Sequence, residues 1–119
     1  MLMTFLLLAA GDLVLIALAV PLLRRRVKPN DLYGLRVEAT FADEWVWYEA
    51  NAQTARDMLV VGLAHLGVTA LLPLVPGVSD TAYAVVNIAL LLMGVVGMAV
   101  IGWRRAERLL ARRRAATSP

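Results

Sequence analysis

Two ionisable residues stand alone inside apolar runs. Asp12 lies near the middle of Met1 to Leu23, where Thr4 is the only other polar side chain. His65 lies near the middle of Met58 to Val75, where the only other one is Thr69. A carboxyl and an imidazole are the groups that hold or pass a proton, or grip a polar ligand, in an apolar medium. A bare charge at the centre of a bilayer costs about 3 kcal/mol on insertion scales, so each group needs a partner or a proton. If both runs are antiparallel helices, a rise of about 1.5 Å per residue brings the two groups within roughly one or two turns of the same depth. The same pair can equally be an interhelical hydrogen bond that fixes packing, worth about 1 kcal/mol. Asn87, nearer the end of a third apolar run, reads as packing glue of that kind.

Other chemistry finds little support. The chain has no cysteine and one histidine, which excludes disulfides, thiolate sites and a multi-histidine metal site. Ser79 and Ser118 are the only serines, and no HExxH, GxSxG or phosphate-binding glycine loop is present. Asp43, Glu44 and Glu49 read as a solvated face rather than a metal or acid–base site. The expectation is a protein without catalysis and without a cofactor.

The elements that position these residues follow from hydropathy. Hydrophobic residues make up 61% of 119, and the mean hydropathy is +0.70. A soluble domain of this size cannot bury so much apolar surface, which makes the bilayer the expected solvent. About 20 apolar residues span the roughly 30 Å hydrocarbon layer. The fold class is therefore an all-α membrane protein with three transmembrane helices, 2–23, 58–75 and 82–103. Arg24, Arg25 and Arg26 directly follow the first run, and no base precedes it, so it reads as a retained anchor rather than a signal peptide.

Residues 24–57 form a polar cap between the first two spans. Pro29 to Gly34 has turn chemistry. Thr40 to Asp43 reads as a capping box that opens a helix. Phe41, Trp45, Tyr48, Ala52 and Ala55 then recur at helical spacing, which predicts an amphipathic interfacial helix over 41–56. The tail 104–119 is basic, with its last five residues expected to be disordered. Gly62, Gly67, Gly94 and Gly97 offer close-approach faces between spans.

The twelve Lys and Arg residues fix an expected orientation. Six lie in 24–57, six in the tail, and none in the 76–81 link. Placing both basic segments in the cytoplasm leaves the N-terminus outside. A pI near 10.0 then points to anionic lipid headgroups as partners rather than nucleic acid.

The segment from Pro21 to Arg56 carries a more specific pattern. Pro29, Asn30, Tyr33, Gly34, Arg36, Thr40, Trp47, Tyr48 and Asn51 spell P-N-x-x-Y-G-x-R, then T, then W-Y-x-x-N. This order and spacing resembles the SdpI family of small membrane proteins, whose architecture of one span before the motif and two after it also fits. Val37 and Glu38 replace the Thr-Pro that often follows the arginine, and Ala55 stands where a glycine is common. The resemblance implies toxin immunity in a bacterial cell membrane: protection from a secreted antimicrobial peptide, and capture of a small cytoplasmic repressor. The residues themselves have a physical reading too. Asn30 and Gly34 suit tight backbone geometry, Arg36 can satisfy carbonyls or a lipid phosphate, and Tyr33, Trp47 and Tyr48 can roof the bundle. The same motif can instead serve only to fold the cap. Three functions remain open: an immunity-type binder, an accessory subunit of a larger membrane complex, and a minimal proton or ion transporter using Asp12 and His65. Oligomerisation is compatible with each.

Overall fold

In a computed structural model describing residues 1–119, the chain is all-helical: α1 Leu2–Leu23, α2 Glu38–Ala42, α3 Glu44–Leu71, a 3-10 turn Leu72–Leu74, and α4 Asp80–Thr117. Three of these helices are long and apolar enough to cross a membrane. In hydrocarbon a helix satisfies its own backbone, so a run as uniformly apolar as 2–23 needs no amphipathic face to become one. α3 is the central helix, packed against α1 and α4, while α2 packs on α3 and α4. The bundle measures 64 × 22 × 19 Å.

α1 ends in a Schellman motif. Arg26 N–H donates to the Pro21 carbonyl at 3.0 Å and Arg25 N–H to the Leu22 carbonyl at 3.1 Å. Arg25 takes the left-handed position at φ 55° that glycine usually fills. Its side chain meets the Glu49 carboxylate on α3.

The separate interfacial helix expected over 41–56 does not form. Residues 44–56 are instead the first turns of α3, which runs unbroken for 28 residues into the second span. The sequence from Glu44 to Val61 contains no glycine or proline, so nothing interrupts propagation. The cap residue also differs from expectation. Asp43 is extended, and its carboxylate accepts from Val46 N–H at 3.1 Å to open α3. Thr40 belongs to the preceding single turn and bonds back to Val37 N–H at 3.0 Å. The expected stripe is only half buried: Ala52 and Ala55 are inside, but Phe41 and Trp45 are 50% and 44% exposed. Val46, Trp47, Ala50 and Asn51 fill the interior in their place.

α4 likewise continues past the expected span end at 103 and through the tail to Thr117, including residues expected to be disordered. Residues 104–117 are rich in Ala, Leu and Arg and lack helix breakers. They also have something to pack against. Ala106 and Leu109 join Ala39, Val46 and Ala50 in a small apolar cluster. Arg105 pairs with Asp57 at 2.8 Å, and Arg113 with Asp43 at 3.5 Å while lying 5.5 Å from the Trp45 ring centre. A second cluster, Ala19, Leu22, Ala55 and Met58, joins α1 to α3. Two of the four expected close-approach glycines serve as such. A Cβ at Gly62 would lie 2.9 Å from Ile16, and one at Gly94 2.8 Å from Val61, whereas Gly67 and Gly97 face open space.

Candidate functional site

The motif residues converge at the basic end of the bundle, in a cap built from the 24–37 loop, α2, the start of α3 and the tail of α4. Asn30 organises the turn. Its Oδ1 accepts from Leu32 N–H at 2.9 Å and Tyr33 N–H at 2.7 Å, and its Nδ2 donates to the Lys28 and Tyr33 carbonyls at 2.8 and 3.1 Å. Pro29, before it, is exposed. The Tyr33 hydroxyl donates to the Leu18 carbonyl of α1, tying loop to helix. Burial raises the Tyr33 pKa above that of a free phenol, which keeps the hydroxyl protonated as a donor.

Gly34 is required twice over. Its φ is +109°, and a Cβ there would sit 2.8 Å from Asn51 Oδ1 and 3.3 Å from the Trp47 ring. Asn51 clamps the next residue: its Oδ1 accepts from Leu35 N–H at 2.6 Å while its Nδ2 donates to the Trp47 carbonyl at 2.9 Å. Trp47 is fully buried and donates from Nε1 to the Val27 carbonyl at 2.8 Å. The Thr40 hydroxyl donates to the Leu35 and Val37 carbonyls at 3.0 and 2.9 Å. Five of the nine motif residues, Asn30, Tyr33, Thr40, Trp47 and Asn51, thus hold the cap through side-chain hydrogen bonds, and Gly34 packs against Trp47 and Asn51.

The other three sit apart. Arg36 is exposed and donates to the Asp31 carbonyl of its own loop. Tyr48 is half-buried and lines a shallow pocket with Arg25, Trp45 and Glu49. Beneath the cap, a cleft of about 250 Å³ lies among Leu18, Tyr33, Thr54, Met58, Val95 and Met98. Its lining is mostly apolar and draws on all three long helices, which suits a hydrocarbon-like guest better than a polar one.

The second constellation lies within the spans. Asp12 and His65 meet: the two carboxylate oxygens are 2.8 and 2.9 Å from His65 Nδ1, with Asp12 1% and His65 4% exposed. His65 Nε2 lies 3.0 Å from the Asn87 carbonyl on α4. Asn87 is buried and extends the chain, accepting on Oδ1 from Thr69 Oγ1 at 2.9 Å and donating to the Tyr83 carbonyl at 2.8 Å. The Tyr83 hydroxyl donates to the Thr69 carbonyl at 2.9 Å. One polar network therefore links α1, α3 and α4. Sequence reasoning found Asp12, His65 and Asn87 but gave no role to Thr69 or Tyr83. Tyr83 stands four residues before Asn87, which is the spacing of one helix face and the only available signal.

A protein-family model described as the SdpI/YfhL protein family matches residues 26–104, two thirds of the chain. The chain belongs to the SdpI/YfhL family. The matched residues run from the cap loop to the end of the third apolar run and contain His65, Thr69, Tyr83 and Asn87, whereas Asp12 lies outside them. No curated protein and no solved structure matches the chain. Family membership and three span-length apolar helices make this a multi-pass membrane protein of SdpI type.

Proposed function

We propose that this SdpI/YfhL family member is an immunity or resistance factor of a bacterial plasma membrane, binding a membrane-active peptide without catalysis. The observation that carries the reading is the family match over 26–104, which includes every residue of the cap motif. The apolar cleft under the cap offers such a peptide a place between the helices. The charge distribution supports an orientation with the cap in the cytoplasm and the N-terminus outside, since twelve bases flank the cap end and none lies in the 76–81 link. Anionic headgroups would then meet the exposed arginines, and a small cytoplasmic repressor is a candidate partner of the cap face.

The test is survival of sensitive cells under a membrane-depolarising peptide. Cells would express the wild type or its Arg36→Ala and Met58→Trp variants at matched membrane levels. Arg36→Ala removes an exposed base of the cap face, and Met58→Trp fills the cleft. Protection by the wild type that either variant loses supports the reading. Absence of protection at full expression contradicts immunity to that peptide.

A second reading, an accessory subunit, is favoured by α4, where only 6% of the most apolar window is buried. A partner recovered by crosslinking through Val96 or Val100, both exposed on the outside of the bundle, would support it. The transporter reading has less behind it. Asp12 and His65 are sealed by their neighbours, and no further ionisable residue interrupts the spans between them and the cap until Asp57.

A further inference from the structure

Donor and acceptor roles in the buried network are fixed at every contact but one. A carbonyl oxygen only accepts, so His65 Nε2 carries a hydrogen toward Asn87. Thr69 donates to Asn87 Oδ1, the Asn87 amide donates to the Tyr83 carbonyl, and Tyr83 donates to the Thr69 carbonyl. The remaining contact sets the Asp12 carboxyl against His65 Nδ1 at 2.8 Å. An ionised carboxylate is an acceptor, and an imidazole protonated only on Nε2 presents a lone pair at Nδ1. Two acceptors repel at that distance, so one proton lies between them. On nitrogen it gives an ion pair, on oxygen a neutral pair, and the net charge is zero in both. Without it, an uncompensated carboxylate would face a lone pair at mid-span.

From this geometry we infer that Asp12 and His65 form a single-proton binding site that clasps α1 onto α3 and α4, so that loss of the proton and release of α1 are one event. Both side chains are buried, and the α3–α4 cleft that His65 lines is otherwise apolar and lies within the spans, so exchange with bulk water requires the helices to part. The groups that surround the site are few. α1 carries no ionisable side chain other than Asp12. On α3, the nearest ionisable neighbour of His65 is Asp57, roughly two turns toward the cap, where Arg105 pairs with it. α4 contributes Tyr83, held by the Thr69 carbonyl; Asp80 lies at its first turn and Arg104 beyond its apolar run. Past Nε2 the next atom is a backbone carbonyl, which has no proton to pass on. The site holds a proton and does not conduct one. The helix outside the family-matched residues thus supplies the group that completes a polar pair inside them.

The chain's single histidine and lack of cysteine make the test direct. The full chain, reconstituted in phospholipid bilayers with 15N-labelled histidine, gives one pair of ring-nitrogen signals. An Ile16→Cys/Gly62→Cys pair reports docking of α1, since a Cβ at position 62 lies 2.9 Å from the Ile16 side chain. The same cysteines in an Asp12→Asn/His65→Gln background, two neutral amides with no shared proton, correct for the pH dependence of thiol chemistry. As pH is raised, the shared proton should vanish from the ring signals together with a several-fold fall in wild-type crosslinking relative to the amide variant. Asp12→Asn alone serves as reference if the double variant does not insert. A pair that loses its proton while relative crosslinking stays constant would overturn the inference. So would a carboxylate facing an unprotonated Nδ1 at neutral pH with α1 docked.

Discussion

His65 Nδ1 and the Asp12 carboxylate lie 2.8 Å apart although 53 residues separate them in the chain. Each is the only ionisable side chain in its apolar run, and each is the other's partner. The relationship fixes the depth at which α1 meets α3 and places their polar contact inside the bundle rather than toward lipid.

Removing one member of this pair should be costly. Asp12→Ala leaves His65 Nδ1 unpartnered in an apolar interior, with an expected loss of about 1–3 kcal/mol. Asp12→Asn keeps a hydrogen-bonding group of nearly the same shape and should lose less. Thermal unfolding in detergent micelles ranks the three proteins, and an Asp12→Ala variant as stable as the wild type would contradict the pairing.

Two glycines separate backbone strain from crowding. Gly77→Ala carries only the cost of φ +83°, about 1–2 kcal/mol, because nothing lies within 4 Å of the new methyl group. Gly34→Ala adds a clash with Asn51 Oδ1 at 2.8 Å to a similar backbone cost. It should therefore be the more damaging, and limited proteolysis of the 24–57 segment should detect its loosened cap.

Within the cap, hydrogen-bond wiring sets a rank order. Asn51→Ala removes the side chain that accepts from Leu35 and donates to Trp47, leaving the half-buried Leu35 N–H unpaired at about 1–3 kcal/mol. Arg36→Ala removes an exposed side chain bonded to one carbonyl of its own loop. The sequence alone allows Arg36 to satisfy several carbonyls from its planar fork. The geometry instead predicts that Asn51→Ala raises protease cleavage of 24–57 more than Arg36→Ala does.

The α4 tail should matter to stability as well as to topology. Ala106 is fully buried against the cap, so Ala106→Glu forces a carboxylate into an apolar contact. An expected loss of about 3 kcal/mol follows from burying an unpaired charge. Exposure of Trp47, read by its fluorescence quenching against Trp45→Phe/Trp103→Phe controls, checks it.

Arg25→Gly should be nearly neutral. The substitution relieves a left-handed arginine, worth about 1 kcal/mol. It also removes a half-exposed ion pair with Glu49, worth about 0–1 kcal/mol. A melting temperature shifted strongly downward would mean that the Glu49 contact holds α1 to α3 more firmly than exposed pairs usually do.

Much of the molecule was legible in its residues. Three apolar runs of span length, the basic segments at their ends and the turn chemistry of Pro29 to Gly34 are local properties, and local physics sets them. The spacing of the cap motif likewise pointed to the family that the wider match establishes. Asp12 and His65 stood out because an ionisable group in hydrocarbon requires an explanation.

What only the tertiary structure decided is which residues meet. No spacing rule placed the start of α3 at Asp43 rather than Thr40, because either oxygen can cap a helix and the loop's own carbonyls claimed the Thr40 hydroxyl. The burial of Trp47 depended on where the loop came to lie, since its ring packs on Gly34 and its Nε1 donates to the Val27 carbonyl. The tail became helical to Thr117 because a surface formed by α2 and α3 stood ready for Ala106 and Leu109. Thr69 and Tyr83 looked like ordinary span residues until three helices brought them to Asn87. Hydropathy acts over a few neighbouring residues, so the sequence by itself determined the three apolar spans and the bounds of the first helix; where α3 begins, where α4 stops and which helices pair are settled by long-range packing, which no local pattern encodes.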